Sequence, residues 1–228
     1  MPARTPGGPR AGEAARAHAL AALRQAILSG DVAPGQRLVE EELAGTLGVT
    51  RQSLRAALLD LTAEGLVERI PNRGARVRTV TTDEAVAITE CRMALEALCA
   101  AKAAERISDD EAAQLRELGE NLKNAVTDGN PLKYSELNRE LHRRVGAISG
   151  QRVAVGLLDR LHGQLVRHQF QLALRPGRPE VSVAEHLAIL NAIVDRRPDD
   201  AALAVRAHLA SVVTALQAGD KSETRPGG

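Results

Sequence analysis

Aromatic side chains are nearly missing from this chain: among 228 residues there is one tyrosine, Tyr134, one phenylalanine, Phe170, and no tryptophan. Proteins that hold single-stranded nucleic acid stack its bases on aromatic rings, so that mode of binding is nearly excluded. The core must be aliphatic, and 44% apolar composition supplies enough material for it. Cysteine is also scarce. Cys91 and Cys99 fall eight positions apart in what reads as one helix, which separates them by about 12 Å and prevents a bridge. No run approaches the roughly 18 apolar residues that span a bilayer, and the opening MPARTPGGPRAGEAARAHAL has no apolar export segment. These absences predict a cytoplasmic protein with reduced thiols and no membrane partner.

Net charge is only +1, but it is unevenly placed: residues 1–80 hold eleven arginines against eight acids, and the remainder of the chain is slightly acidic. A local basic patch follows, not a polybasic tail. Residues 1–11 and 219–228 are rich in Pro, Gly and charge and read as disordered tails. Between them the pattern changes once, near TVTT at 79–82, which divides the chain into units at 12–80 and 83–218.

The first unit opens with an amphipathic helix over 14–29, with Leu20, Leu23, Ile27 and Leu28 at helical spacing. A second helix covers 40–47 and ends at Gly48, and a third covers 51–64 with Gly65 as a left-handed cap. LVERI at 66–70 and ARVRTV at 75–80 alternate across the turn PNRG and predict a β-hairpin. Three helices and a hairpin make a winged helix-turn-helix, whose third helix enters the major groove of DNA. In GVTRQSLRAAL, Thr50 is placed to cap that helix, and Arg51, Gln52 and Arg55 occupy its first turns, where a helix dipole prefers acids. A solvated helix surface also tolerates two arginines. The hairpin decides between the readings by adding Arg69, Arg73, Arg76 and Arg78, with Arg73 and Gly74 at the tip of the wing. The expected partner is double-stranded DNA, with guanine suited to one of the two arginines.

The stretch LRQAILSGDVAPGQRLVEEELAGTLGVTRQSLRAALLDLTAEGLVERIPNRGARV resembles the GntR family of bacterial transcription regulators, most clearly in ILSGDVAPGQRL, ELAGTLGVTR and LTAEGLV. The family's recognition segment resembles SRTPVREAL. TRQSLRAAL keeps both arginines and has Gln52, Ser53 and Ala56 at three other places.

Beyond residue 83 only helical periodicity remains. Six helices are expected at 83–106, 109–127, 131–148, 151–174, 179–195 and 199–217, forming a mainly α, antiparallel bundle. Asp83, Ser108 and Asp199 are expected as N-caps, and Pro131 and Pro179 suit first turns. His142, His186 and His208 fall on inward stripes of three helices, and Asn138 lies one turn before His142. Such imidazoles can hold a divalent metal, with Asn138 adding an oxygen. Spacing does not single them out, because His162 and His168 also lie near apolar positions.

CRMALEALCAAKAA, NRELHRRV and EHLAILNAIVDRRPDDAALAVRAHL resemble the FCD ligand-binding domain of the FadR-type branch, in its shorter VanR-like form with six helices. That resemblance implies a metal held by Asn138, His142, His186 and His208: zinc, with nickel or another ion also suited to imidazoles. It further implies that Arg92, in the block RMALE, pairs with a small carboxylate effector. An intrahelical ion pair between Arg92 and Glu96 is the plainer alternative. The function implied is a homodimeric, ligand-responsive transcription regulator on a pseudo-palindromic operator, a repressor released by a small organic acid. A metal-dependent enzyme is the competing reading, disfavoured because no acid stands beside the histidines in sequence as a general base. A third is a regulator whose bundle binds no metal.

Overall fold

A computed structural model describes residues 9–70 and 74–223. It divides the chain into two compact units, Met1–Val80 and Thr81–Gly228.

The first unit contains helix α1 (Pro9–Ser29), strand β1 (Arg37–Leu38), helices α2 (Glu40–Leu47) and α3 (Arg51–Ala63), and strands β2 (Val67–Ile70) and β3 (Gly74–Val77). Helix α1 packs along α3. Leu23, Leu54, Leu58, Leu61 and Val67 form the core between them. Two clamps fix the pair from outside: Arg16 donates to both oxygens of Asp60 at 2.7 and 2.6 Å, and Arg24 to both oxygens of Glu64. Gly65 has φ +75°, and the Leu66 amide returns 3.0 Å to the Leu61 carbonyl, closing α3 as its sequence predicts. The hairpin pairs Val67 with Val77 and Ile70 with Gly74. A third strand joins it in the order β1-β3-β2. At two residues, β1 is too short for alternation to reveal it.

The second unit is helical: α4 (Thr82–Arg106), α5 (Asp109–Thr127), α6 (Pro131–Ser149), α7 (Arg152–Gln164), α8 (Val166–Ala173), α9 (Arg178–Val194) and α10 (Pro198–Glu223). Helix α4 packs most extensively on α10 and also meets α6, α7 and α9. Its buried Ala97, Ala100, Ala103 and Ala104 carry little side-chain bulk, which lets neighbouring backbones approach closely. Leu115, Leu122, Leu141, Ile189, Ile193 and Leu209 fill the rest of the core.

Several boundaries differ from expectation. The fourth expected helix is broken at Leu165 into α7 and α8, so the six expected helices become seven segments. Gly163, a poor helix former, lies just before the break, while buried Leu158, Leu165 and Leu172 carry the apolar pattern straight through it. Helix α1 starts at Pro9, inside the stretch expected as a tail, because Pro suits a first turn and RAGEAARA is rich in helix formers. Helix α10 likewise continues to Glu223, while residues 1–8 and 224–228 lie outside the described residues. Thr81, not Asp83, caps α4 through the Glu84 amide, at 3.3 Å. Asp83 and Asp199 sit inside first turns, where the helix dipole favours carboxylates. Ser108 forms the expected cap, completed by Glu111 into a capping box. Finally, Pro198–Gly219 is long and apolar enough by length and composition to cross a bilayer, although Asp199, Asp200 and Arg206 interrupt its apolar residues. Within it Ala201, Val205 and Leu209 are buried in the bundle, alongside His208.

Candidate functional site

Two groups of side chains carry chemistry, one in each unit. In the first, the Thr50 hydroxyl accepts from the Ser53 amide at 3.1 Å and starts α3. Arg51, Gln52 and Arg55 stand exposed on the outer surface of that helix, while Leu54, Leu58 and Leu61 are buried. The sequence places no acid beside these arginines, but the fold supplies two from α2. Arg51 pairs with Glu41, and Arg55 Nε lies 2.5 Å from Glu40 Oε2. Both arginines remain more than half exposed, at 59% and 64%. Such pairs contribute only about 0.2–1 kcal/mol, so a stronger anion displaces the carboxylates easily. On the sheet, Arg37 and Arg76 face each other across β1 and β3, and Arg76 also holds Glu68 on β2. Gly74 has φ +86°, a conformation that favours glycine at the hairpin tip. Arg73 lies outside the described residues.

In the second unit, α6, α9 and α10 bring His142, His186 and His208 together, with ligand nitrogens all within 4.8 Å of one another. Each ring has a separate partner at Nδ1. His142 is held 3.0 Å from Glu96 Oε2, His208 2.7 Å from Glu185 Oε2, and His186 3.1 Å from the Tyr134 hydroxyl. With Nδ1 engaged, Nε2 is the atom left for a ligand. Nε2 of His186 is buried without a hydrogen-bond partner, and so is Oδ1 of Asn138. Two orphaned buried polar atoms are costly in an apolar interior, and each is a type of atom that can ligate a cation.

Electrostatics agree with that use. Burial pushes the His186 imidazole well below its ordinary range, and burial also lowers His208 against the opposing pull of Glu185. Both are thereby kept neutral, as metal ligands must be. Burial would raise the Glu96 carboxyl, but Arg92 and His142 beside it prevail and hold it well below the usual carboxylate range. Arg92 lies 2.9 Å from Glu96 in an almost fully buried pair, so the intrahelical ion pair is present. Arg92 nevertheless also lines the cavity beside the histidines, which measures about 60 Å³.

Sequence reasoning missed several members of this site. Glu96 and Glu185 stand beside the histidines, correcting the expectation that no acid does; both orient imidazoles and neither is free to act as a base. His162 of α7 shares Glu96, at 3.1 Å, and with His142 these form a second possible ligand group. Arg178, at the start of α9, also lines the cavity; it donates to Glu185 at 3.1 Å and to the Ser211 hydroxyl at 2.7 Å. The available signals were Glu96 one turn after Arg92 and Glu185 next to His186. His168 does not line the cavity.

Comparison with known proteins agrees with both units. The description "Bacterial regulatory proteins, gntR family" matches residues 15–77, and the FCD domain matches residues 87–211. The Nta operon transcriptional regulator of Aminobacter aminovorans is 32% identical over 77% of this chain and 82% of its own. The HTH-type transcriptional repressor RspR of Escherichia coli K12 is 26% identical over 83% of each chain. Among solved structures, E. coli McbR/YncC superposes with a TM-score of 0.76 at 21% identity, covering 90% of this chain and 98% of that one, which supports the fold. The chain belongs to the GntR family, with an FCD domain behind its winged helix-turn-helix, and is a ligand-responsive, DNA-binding transcription regulator and not an enzyme.

Proposed function

We propose that the protein is a cytoplasmic homodimer that represses transcription from a pseudo-palindromic operator and is released by a small carboxylate bound beside a divalent metal, zinc in the first instance. Helix α3 enters the major groove, with Arg51, Gln52 and Arg55 toward base edges and Thr50 near the backbone. Gly74 and its neighbour Arg73 meet the DNA as the tip of the wing. Repression is favoured because two relatives, RspR and the NanR of Klebsiella aerogenes, are named repressors.

The observation that carries the effector half is the pair of buried, unpartnered ligand atoms, Asn138 Oδ1 and His186 Nε2. Asn138, His142, His186 and His208 would hold the ion. Bound there, it supplies a Lewis-acidic position for one carboxylate oxygen. Arg92 and Arg178 on the same cavity are the side chains suited to the rest of the anion. The test is metal content per chain in untagged protein purified without chelator, exposed to zinc and desalted in acetate buffer, beside a His186→Ala variant. One ion per chain, lost in the variant, supports this reading; no ion in either leaves an FCD domain that recognises its effector without metal.

A further inference from the structure

The four side chains proposed to hold the metal are all neutral donors: three imidazoles with nitrogens within 4.8 Å of one another, and the amide of Asn138, which lines the cavity with His142 and His208. The two carboxylates nearby do not change that balance. Glu96 is paired with Arg92 at 2.9 Å and Glu185 with Arg178 at 3.1 Å, so each negative charge is matched by a guanidinium. The surroundings give little access to solvent, since His186 is fully buried, His208 is 5% exposed and His142 15% exposed. A divalent ion placed here brings two positive charges into a poorly solvated site that offers no net negative charge in return. Transfer of unbalanced charge out of water is among the costliest events in protein energetics.

We infer that metal and carboxylate bind this pocket as a cooperative pair, the anion supplying the charge that Asn138 does not, so that each ligand strengthens the other. This rests on the metal-site reading above and adds a property of Asn138 to it. An aspartate at the same position would neutralise half of the ion's charge within the protein. It would tighten the metal and reduce what an external anion gains by joining it. With asparagine, the ion alone binds weakly, and occupancy by metal reports the presence of the acid. Linkage requires reciprocity: whatever factor acetate contributes to zinc affinity, zinc contributes to acetate affinity.

The experiment is titration calorimetry of chelator-stripped, full-length protein with zinc nitrate in a non-coordinating buffer. It is run with and without saturating sodium acetate, at ionic strength matched by sodium nitrate. Acetate should raise zinc affinity by about tenfold or more, within the usual range of coupling between sites. In Asn138→Asp, zinc should bind more tightly without acetate, and the gain from acetate should shrink severalfold. Equal zinc affinity with and without acetate in the wild type overturns the coupling but leaves the metal site standing. No zinc binding under either condition overturns both. Undiminished coupling in Asn138→Asp, with its fold verified by circular dichroism, overturns the assignment to the neutral amide. Should that variant fail to fold, the wild-type comparison decides alone.

Discussion

The hydroxyl of Tyr134 lies 3.1 Å from Nδ1 of His186, and both side chains are buried, at 4% and 0% exposure. A phenol both donates and accepts, so this contact accommodates the tautomer that metal binding needs. With its proton on Nδ1 and donated to the tyrosine oxygen, His186 presents a lone pair at Nε2, its unpartnered atom. Tyr134→Phe should weaken metal binding by about tenfold to a hundredfold, the usual effect of removing an outer partner of a ligating histidine. Calorimetry with zinc measures it.

The same residue gives a pH dependence. Burial raises the Tyr134 phenol from 10.0 to about 12. Below pH 10 it is protonated in both folded and unfolded chains and adds no slope. Between 10 and 12 the unfolded chain loses the proton and the folded chain keeps it, so stability must fall as pH rises. Two units correspond to on the order of 3 kcal/mol. Because Tyr134 is the single tyrosine and tryptophan is absent, ultraviolet difference titration observes this group alone. A midpoint near 10 in folded protein would contradict its buried placement.

On the DNA side, Arg51→Ala should lose about 1–3 kcal/mol on operator and relax base preference. Arg73→Ala should weaken all sequences alike and lower the salt slope by about one. Equal losses on operator and random duplex for both variants would sink this division of labour. The pairing of Arg51 with Glu41 adds a second test. Glu41→Gln removes a competing anion and should strengthen binding to random duplex, most visibly at low salt.

Thr50 has a structural role apart from any contact with DNA. Thr50→Ala removes the hydroxyl that accepts the Ser53 amide and should cost about 0.5–2 kcal/mol of stability, read by denaturant melts. Thr50→Ser should restore most of it.

Glu96 is the partner of three groups on three helices: Arg92 on α4, His142 on α6 and His162 on α7. Glu96→Gln leaves the Arg92 guanidinium buried without a counter-charge and should destabilise the second unit by about 3–5 kcal/mol. Replacing both, as Arg92→Met with Glu96→Leu, should cost less than the single change. The reverse order would show that the ion pair is not what Glu96 chiefly serves.

How much of this was readable beforehand depended on whether the information was local. Helix α3 and its cap were legible because Thr50, the Leu54, Leu58 and Leu61 spacing and Gly65 lie within sixteen consecutive residues. The three histidines fell on inward stripes, yet spacing could not separate them from His162, which proved to share Glu96 with His142. The outer partners were harder to foresee because Tyr134 meets His186 across 52 positions and His162 meets Glu96 across 66. Glu40 and Glu41 escaped for a similar reason. They belong to the preceding helix, and only the turn between α2 and α3 brings them to Arg55 and Arg51. The break at Leu165 was hidden because buried leucines continue on both sides of it.

That break also determines which wall of the cavity is weakest. Gln169, Leu172 and Ala173 of its lining belong to α8, which has only eight residues, whereas Tyr134, Asn138, His142, His208 and Val212 come from the far longer α6 and α10. A helix of two turns has little stability of its own in water and persists through its packing on neighbours. Its amides should exchange with solvent before those of α4 or α10, and a bound acid should slow them. The pocket is therefore built like a room with one thin partition.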